Sequence, residues 1–488
     1  MDDSTEKRYY WVLLGMAIII AFAFQGSRGL YETTEGRYAE VAREMLENGN
    51  YLEPTLAYRP HWTKPPLTYW AIAGGIKIFG QNAWGVRFYN SLAFILTVLL
   101  ISRMGTLLWN RQTGIAAGLI YSTSVFPVFA MSTVSTDTLL TLWTAAAVYS
   151  YLKASRTPDT RDARKWVLFM WVFFGAGFFT KGPPALLPLL AISVWHFTFR
   201  KPWRLFTPQG LGVFLAVSLW WYVLVCFRHP GLLGYFLGQE LVARVATDTF
   251  NRNAAWYKPF ILYLPALTLG AGFWFFYLVK TVFKERLFRL ETLWAHLRAG
   301  QTGAFLLLWI SIPLAVFFVA KSRLPLYVLP LYGPVVLMIA RGIGDHVSLK
   351  KITLIAVISA MALIGSKGLA AQYPRKNDMK HLLSWCRRVG GKDVQILSYL
   401  EIKLYGLQFY LDGNFKRLAD ETMTWSDARI FPFIRETLKK DRTHPYVILT
   451  RRRYGHYLEE KLIARKIKFQ SYHDKFWELC LISPEAPP

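Results

Sequence analysis

The sequence LYETTEGRYAEVAREMLENGNYLEPTLAYRPHWTKPPLTYWAIAGGIKIF, residues 30–79, decides how the chain is organised. It follows the first apolar run, residues 10–25, and gathers acids, basic residues and aromatic residues into a loop too polar to cross a bilayer. Most of the remaining sequence consists of apolar runs of membrane-spanning length, which say little about function. We therefore expect the functional groups to concentrate in residues 30–79.

Two helices are predicted within this loop. Thr34 can cap a helix that begins at Glu35, and apolar residues then recur at three- and four-residue spacing until Gly49, which favours a left-handed helix end. Pro65–Phe79 predicts a second helix that is apolar but short for a full crossing. We expect both helices to lie at the membrane surface. On pattern alone, an ordinary surface loop with one charged helix is an equal alternative.

Composition and charge place the chain in a membrane. Of its 488 residues, 53% are hydrophobic, and the mean hydropathy is +0.24. The basic residues behind the net charge of +26 fall mainly in alternate loops between apolar runs, as in cytoplasmic loops, which argues against nucleic-acid binding. The nine histidines and three cysteines have no metal-ligand spacing, so no metal site is predicted. Cys386 and Cys480 form a disulfide in an oxidising compartment or stay free thiols.

The apolar runs predict eleven crossings, with Pro65–Phe79 re-entrant or interfacial and the C-terminus on the outer side. Residues 27–82 and 228–258 are the first and second outer loops. From residue 372 onwards charged residues become frequent, and short β-type runs such as VQILSYL and HPYVILT alternate with helical stretches. The sequence therefore predicts a transmembrane domain at 1–371 and a small extracytoplasmic α/β domain at 372–488.

Two separated motifs, TEGRYAEVAREML at 34–46 and KPPLTYW at 64–70, carry a family resemblance. In this order and spacing the chain resembles the lipid A aminoarabinose transferases and the related protein O-mannosyltransferases, polytopic glycosyltransferases of the GT-C class. Their first outer loop typically reads D-E-x-R-Y-A-E-x-x-R-E-M and then E-K-P-P. The resemblance implies a polytopic α-helical GT-C fold of about 11–13 spans with juxtamembrane helices.

The same resemblance implies an inverting glycosyltransferase that moves a hexosyl or pentosyl group from a polyprenyl-phosphate donor, such as undecaprenyl phosphate, to a lipid A, protein or glycan acceptor. It implies a multi-pass protein of the bacterial inner membrane that acts at its outer face. The implied partners are membrane lipids, the lipid-linked donor and the acceptor. No cofactor is predicted, and a divalent metal is left open. A flippase or transporter of lipid-linked sugars is the alternative, although the sequence has no internal repeat typical of transporters.

Cations in the first outer loop match the chemistry of such a donor, because its departing phosphate needs positive charge nearby. Lys64 precedes a rigid Pro-Pro pair, and the resemblance implies that it binds the donor phosphate. The alternative is a lysine that extends to lipid headgroups. Arg37 and Tyr38 match the R-Y pair of the family motif and are predicted neighbours of the same phosphate.

The candidate catalytic acids are Glu35, Glu32 and Asp137. The family motif has an aspartate where this chain has Thr34, and a threonine is no general base near neutral pH. Either Glu35 or Glu32 replaces it, or the acceptor is an ionised phosphate that needs no strong base, or the activity has changed. Asp137 begins a predicted span at its outer end, where it serves catalysis or stabilises the helix N-terminus.

Further candidate phosphate ligands lie in two later turns. Lys181 belongs to a T-K-G turn between spans, and Lys321, Arg323 and Tyr327 belong to the segment KSRLPLYVLP; both segments are similar to family segments. A basic cluster on the outer side runs against the usual charge distribution, and phosphate binding would explain it. Anchoring at lipid headgroups is the alternative for Lys181.

Overall fold

The computed structural model describes residues 3–157, 160–199, 204–243, 252–284, 302–373, 375–400, 403–417 and 444–483, and the single positions 247, 291, 431, 432, 434 and 436. Part of the predicted second outer loop, residues 244–246 and 248–251, lies outside the described residues.

Helices follow the apolar runs of the predicted transmembrane part. In chain order they are α1 (Asp3–Phe22), α2 (Thr34–Asn48), α3 (Leu67–Phe79), α4 (Ala83–Leu108), α5 (Arg111–Ser122), α6 (Val125–Met131), α7 (Asp137–Arg156), α8 (Thr160–Lys181), α9 (Leu187–Thr198), α10 (Pro208–Ser218), α11 (Trp220–Arg228), α12 (Lys258–Leu267), α13 (Phe275–Lys284), α14 (Thr302–Val319), α15 (Tyr332–Ile343) and α16 (Leu349–Gln372). Their starts follow local signals; for example, the Asn82 side chain accepts hydrogen bonds from the backbone N–H groups of Trp84 and Gly85 at the start of α4.

Several of these helices have the length and apolar character of membrane spans. Five described segments meet both conditions: Ala83–Leu108, Lys258–Phe283, Thr302–Val319, Pro325–Ile343 and Leu349–Gln372. Two bent pairs, α5 with α6 and α10 with α11, bring the number to seven if each pair is one span. The prediction of a polytopic α-helical membrane protein is confirmed, and the number of crossings stays a prediction.

The first outer loop packs against the start of α4 through α2 and α3. Their apolar side chains form one buried cluster with α4, in which Tyr38, Met45, Tyr69 and Ile72 are at most 5% exposed. The opposite side of α2 is also buried, because the Glu44 carboxylate accepts hydrogen bonds from the Thr55 hydroxyl and the backbone N–H of Tyr58 in the hairpin of strands β1 (Thr55–Leu56) and β2 (Arg59–Pro60). The sequence pattern predicts a surface helix, whereas the hairpin covers its polar face.

A small α/β unit follows α16. In chain order its elements are α17 (Met379–Gly390), β3 (Gln395–Ser398), α18 (Tyr405–Tyr410), β4 (Lys416–Arg417), β5 (Tyr446–Arg451), α19 (Gly455–Ala464), β6 (Gln470–His473) and β7 (Trp477–Ile482). The strand order is β4-β3-β5-β7-β6, parallel from β4 to β5 and antiparallel from β5 to β6. The predicted C-terminal α/β fold is confirmed.

All three cysteines of the chain are free thiols in the structure. Cys386 on α17 is buried in the core on one face of the sheet, and Cys480 on β7 is buried in the core on the other face. Alternation of side chains along β7 separates them, since Leu479 and Leu481 pack with Cys386 while Cys480 points the opposite way. The structure therefore supports the free-thiol alternative over a disulfide.

The α/β unit is attached to the first outer loop by hydrogen bonds. Gly29 N donates to Asp378 Oδ2 at 3.1 Å, Leu30 N donates to the Tyr410 hydroxyl at 3.0 Å, and Gln81 Nε2 donates to the carbonyl of Phe409 at 2.6 Å. The loop that carries the candidate site is thus held between the membrane helices and the C-terminal unit.

Candidate functional site

Lys64, just before α3, makes an ion pair between the two outer loops. Its Nζ donates to Glu240 Oε2 at 3.0 Å and to the carbonyl of Thr63 at 2.6 Å. The Lys64 and Glu240 side chains are 15% and 13% exposed, so water has little access to the pair. Glu240 lies on a π-helical segment, Tyr235–Ala243, where its Oε1 is 3.5 Å from the Tyr235 hydroxyl. The predicted phosphate ligand of the first loop therefore contacts a carboxylate of the second.

Arg37 and Tyr38 of α2 lie beside Lys64. The Arg37 guanidinium carbon is 5.7 Å from the centre of the Tyr38 ring, and the Tyr38 and Tyr69 ring centres are 5.3 Å apart. The Tyr69 hydroxyl hydrogen-bonds to the side chain of Thr63, the neighbour of Lys64. The structure therefore brings Lys64, Arg37 and Tyr38 together.

A second ion pair joins the start of α7 to the end of α8. Lys181 Nζ donates to Asp137 Oδ1, and these side chains are 10% and 7% exposed. The same ammonium lies 4.3 Å from the centre of the Tyr327 ring, within the range of a cation–π contact. Tyr38 connects this ion pair to the residues around Lys64. Its hydroxyl hydrogen-bonds to the side chain of Thr136, and it lies within electrostatic reach of both Asp137 and Lys181.

Glu35, a predicted catalytic acid, is held in a buried network. Its carboxylate accepts from Arg28 at 2.6 and 3.0 Å, from Arg87 at 2.9 and 3.1 Å, and from the backbone N–H groups of Val134 and Tyr31, both at 2.9 Å. Burial would raise the pKa of Glu35, but the two guanidinium groups outweigh it and hold that pKa far below 4.5. These contacts favour a structural role for Glu35, and a catalytic role stays a prediction.

Three other predicted residues lie outside the cluster of Lys64 and Asp137. Glu32 accepts from the backbone N–H of Gly406 in the C-terminal unit. The Arg323 guanidinium donates to the carbonyls of residues 253–255 and of Phe318, which ties the end of the second outer loop to α14. Lys321, two residues earlier, is exposed. Substrate roles for these residues stay predictions, and the contacts of Arg323 are those of a loop anchor.

Residues 63–223, which contain Lys64, Asp137 and Lys181, match the family model described as dolichyl-phosphate-mannose-protein mannosyltransferase. The undecaprenyl phosphate-α-4-amino-4-deoxy-L-arabinose arabinosyl transferase of Photorhabdus laumondii is 31% identical over 351 residues, 71% of this chain and 61% of that protein. A second transferase of the same description, from Pseudomonas fluorescens, is 32% identical over 70% of this chain and 60% of that protein.

Solved structures give the same fold. ArnT from Cupriavidus metallidurans in the apo state superimposes with a TM-score of 0.76 at 16% identity, covering 99% of both chains. Its complex with undecaprenyl phosphate gives 0.72 at 17% identity, covering 98% of this chain and 99% of that one. This chain has the ArnT-like GT-C fold, and its sequence is similar to the aminoarabinose transferases over about 70% of its length. By sequence, its match spans about three fifths of the length of the two arabinosyl transferases compared with it.

This ArnT-like chain departs from the family pattern at two acidic positions. Thr34, in place of the motif aspartate, is exposed and is the first residue of α2. The prediction that it caps the helix is wrong by one residue, since Thr33 is the N-cap. Thr63 stands in place of the glutamate of E-K-P-P. The helix still ends at Gly49, with the predicted left-handed φ of 70°. In this structure Glu240 supplies the negative charge beside Lys64, and Asp137 supplies it beside Lys181.

Sequence reasoning missed His61 and assigned no role to Glu240. His61 lies two residues before Thr63, and its Nε2 is 2.8 Å from the Thr63 hydroxyl. A signal for His61 was available, since it is polar and precedes the K-P-P motif closely. Glu240 has no comparable signal, because 176 residues separate it from Lys64 and only folding brings the two together. Among the described residues, no three His, Cys, Asp or Glu side chains gather as metal ligands.

The pH response of His61 can be predicted from its surroundings. Burial first, and then the charges of Arg37 and Lys64, lower the pKa of His61 from 6.5 to about 4. The fold therefore favours neutral His61, and its contribution to stability is complete above pH 6.5 and is lost as the pH falls towards 4.

We expect Tm to fall more for the wild type than for His61→Gln when the pH is lowered from 7.5 to 5. The measurement is thermal unfolding in detergent. His456→Gln is the control, because His456 is 86% exposed and distant in sequence from the cluster. Parallel Tm profiles of wild type and His61→Gln would contradict the prediction.

Proposed function

We propose that this chain transfers a sugar from a polyprenyl-phosphate donor to an acceptor at the outer face of the bacterial inner membrane. The observation that carries the proposal is the convergence of Lys64, Arg37 and the Asp137–Lys181 pair, from separate segments of the chain, on one largely shielded cluster. The relatives named as undecaprenyl-phosphate aminoarabinose transferases, and the ArnT complex with undecaprenyl phosphate, support this donor class.

The donor phosphate binds at Lys64 in this proposal. Its ammonium already contacts an anionic oxygen of Glu240 at 3.0 Å, in a setting with little water. A phosphate oxygen is a stronger partner in the same place, because it carries more charge and can also reach a guanidinium such as Arg37. Donor binding thus displaces the Glu240 carboxylate, which moves with the second outer loop.

The transfer step is a displacement at the anomeric carbon. The bond from that carbon to the donor phosphate oxygen breaks, and its electron pair stays on the phosphate, where Lys64 and Arg37 stabilise the charge. The acceptor oxygen forms the new bond from the opposite face, which inverts the configuration. A hydroxyl acceptor gives its proton to Asp137, whereas an ionised phosphate acceptor has no proton to give. Lys181 holds Asp137 in position through their ion pair.

Of the acceptors that the family resemblance implies, we propose lipid A, because the two relatives compared with this chain are aminoarabinose transferases. The phosphate groups of lipid A are ionised at neutral pH, which suits a loop that has Thr34 in place of the motif aspartate. The first outer loop and the C-terminal unit, which hydrogen-bond to each other, both lie on the extracytoplasmic side in this arrangement.

An in vitro assay tests the proposal. The purified chain, in liposomes, receives undecaprenyl phosphate carrying a labelled aminoarabinose, with lipid A in the same bilayer. Label in a new linkage to lipid A is the expected product. Unaltered donor that crosses the bilayer without new product would instead support the transporter alternative. Label found on protein or glycan would keep the enzyme and replace the acceptor.

Glu240→Gln should bind undecaprenyl phosphate more tightly than the wild type. Removal of the carboxylate that competes for Lys64 raises the affinity about fivefold, equivalent to about 1 kcal/mol. The affinity is measured by competition with a fluorescent polyprenyl phosphate. Glu53→Gln is the matched control, since that carboxylate also pairs between the two loops, at 3.1 Å from Arg228, whose side chain is 51% exposed. Equal or weaker binding by Glu240→Gln would contradict the displacement of Glu240 by phosphate.

A further inference from the structure

A cavity of about 370 Å³ lies where the membrane helices meet the C-terminal unit. Its walls are the end of α1 with residues 22 and 24–27, the start of α4 with residues 82–84, and Lys380 and Tyr410 of the C-terminal unit. None of the residues placed above in the donor cluster lines it. The volume falls in the range of sites that hold small molecules or headgroups, about 300–1,000 Å³.

Positive potential reaches this cavity from two directions, the first turn of α17 with Lys380 and the first turn of α4. Lys380 contributes an exposed ammonium, and its side-chain stem is packed over Gly29. The N-terminal ends of α4 and α17 both lie at the cavity, because Ala83 and Lys380 are in their first turns. The carboxylate at this edge, Asp378, already accepts from the backbone N–H groups of Gly29 and His381. Because Asn82 and Asp378 already cap these two helices, the Lys380 ammonium is the charge that attracts an occupant, and it favours an anion.

The side-chain oxygen of Gln25 favours a ligand that carries a hydrogen-bond donor. This lining residue is 2% exposed, and its Nε2 donates to the carbonyl of Met131 at 3.0 Å. Among the described residues, no group donates to its Oε1. A buried acceptor without a donor is costly, so a ligand that presents a hydroxyl or ammonium at this point gains a hydrogen bond.

The remaining side of the cavity is aromatic. Trp84 stacks on Phe22 with ring centres 5.5 Å apart and meets Phe79 edge-on at 4.7 Å. Phe24 and Phe79 are 48% and 39% exposed, so an apolar surface continues outward from the cavity. Phe24 adopts a positive φ of 54°, an uncommon conformation for a residue with a side chain, and its ring packs against Gly368 of α16. Aromatic rings in this arrangement are typical of the level of lipid headgroups.

We propose that this cavity binds a phospholipid whose headgroup is a phosphodiester ending in a hydrogen-bond donor, as in phosphatidylglycerol or phosphatidylethanolamine. The phosphate lies by Lys380 and the two helix N-termini, the terminal hydroxyl or ammonium reaches Gln25, and the acyl chains leave along the exposed aromatic rings. The lipid contacts the membrane helices and the C-terminal unit at once, and so stabilises their attachment. This site is separate from the proposed donor site and does not depend on the sugar-transfer activity.

Lipid retention by the full chain tests the site. The protein is purified in detergent, exposed to phosphatidylglycerol, phosphatidylethanolamine or diacylglycerol, and examined by native mass spectrometry. Lys380→Met removes the ammonium, and Asn82→Asp keeps the capping oxygen of α4 while it adds negative charge at the cavity. Lys77→Met is the matched control, since Lys77 is exposed near the end of α3 and does not line the cavity.

The wild type and Lys77→Met should retain either phospholipid at least tenfold better than diacylglycerol, and Lys380→Met and Asn82→Asp should lose that preference. Tm should rise with phospholipid in the first two proteins only. Equal retention of diacylglycerol, or unchanged retention by Lys380→Met, overturns the proposal. Displacement of the lipid by millimolar glycerol phosphate would identify a site for soluble phosphates and overturn the lipid assignment. Lys64→Ala should lose sugar transfer and still retain the lipid. Failure of the sugar-transfer proposal and failure of the lipid-site proposal can therefore be told apart.

Discussion

Lys64→Ala should lower the rate of sugar transfer about 100- to 1,000-fold, the usual cost of removing one group that stabilises the charge of a transition state. The reason is geometric: Lys64 is fixed before Pro65 and Pro66 in a position with little access to water, where its charge acts on the phosphate with little screening. The rate is measured with labelled undecaprenyl-phosphate sugar at saturating acceptor.

Two further variants make this prediction specific. Lys64→Arg keeps the positive charge but changes its shape and reach, so it should retain part of the activity. Lys77→Ala removes an exposed lysine from neighbouring α3 and should transfer sugar at the wild-type rate. If folded Lys64→Ala is within about threefold of the wild type, the proposed phosphate site is wrong.

Glu35→Gln should destabilise the protein by about 3–5 kcal/mol, because it leaves Arg28 and Arg87 with uncompensated charge in a buried position. The native pKa of Glu35 lies well below its unfolded value near 4.5, so this contribution is complete above about pH 4.5 and is lost as the pH falls below it. Unfolding in detergent at neutral pH, followed by tryptophan fluorescence, measures the effect. Asp162→Asn, at an exposed ion pair with Lys165, should change stability by less than about 1 kcal/mol.

Activity per folded molecule separates the structural role of Glu35 from the catalytic role that the motif predicts. A structural Glu35 leaves the folded fraction of Glu35→Gln close to wild-type activity at low temperature. Arg87→Met should be destabilised similarly, and the double variant should lose less than the sum of the two, because the residues form one network. A fully folded but inactive Glu35→Gln would return Glu35 to the list of catalytic acids.

Local signals explain how much of the fold the sequence predicts. Some features depend only on residues that are neighbours in the sequence, and these can be predicted from it. Examples are Gly49 at the end of α2, Asp137 at the start of α7 and the β-type runs of the C-terminal unit. The burial of the polar face of α2 cannot be predicted from the sequence, because it depends on a hairpin that folds back over Glu44. Charge alone does not tell that hairpin apart from an exposed loop.

The residues of the candidate site also fall into those that the sequence predicts and those that it does not. Lys64, Arg37, Tyr38, Asp137 and Lys181 carry motif or position signals, and the structure brings them together. Glu35 carries the strongest motif signal of the acids, yet its neighbours Arg28 and Arg87 come from outside the motif and decide its contacts. Glu240 has no local signal, since its importance arises only from its approach to Lys64.

The position of the lipid phosphate tests the central claim most directly. A cryo-electron microscopy structure of the chain with undecaprenyl phosphate should place a phosphate oxygen about 3 Å from Lys64 Nζ, with the Glu240 carboxylate moved away from that ammonium. A phosphate bound elsewhere, with the Lys64–Glu240 pair still intact, would contradict the account.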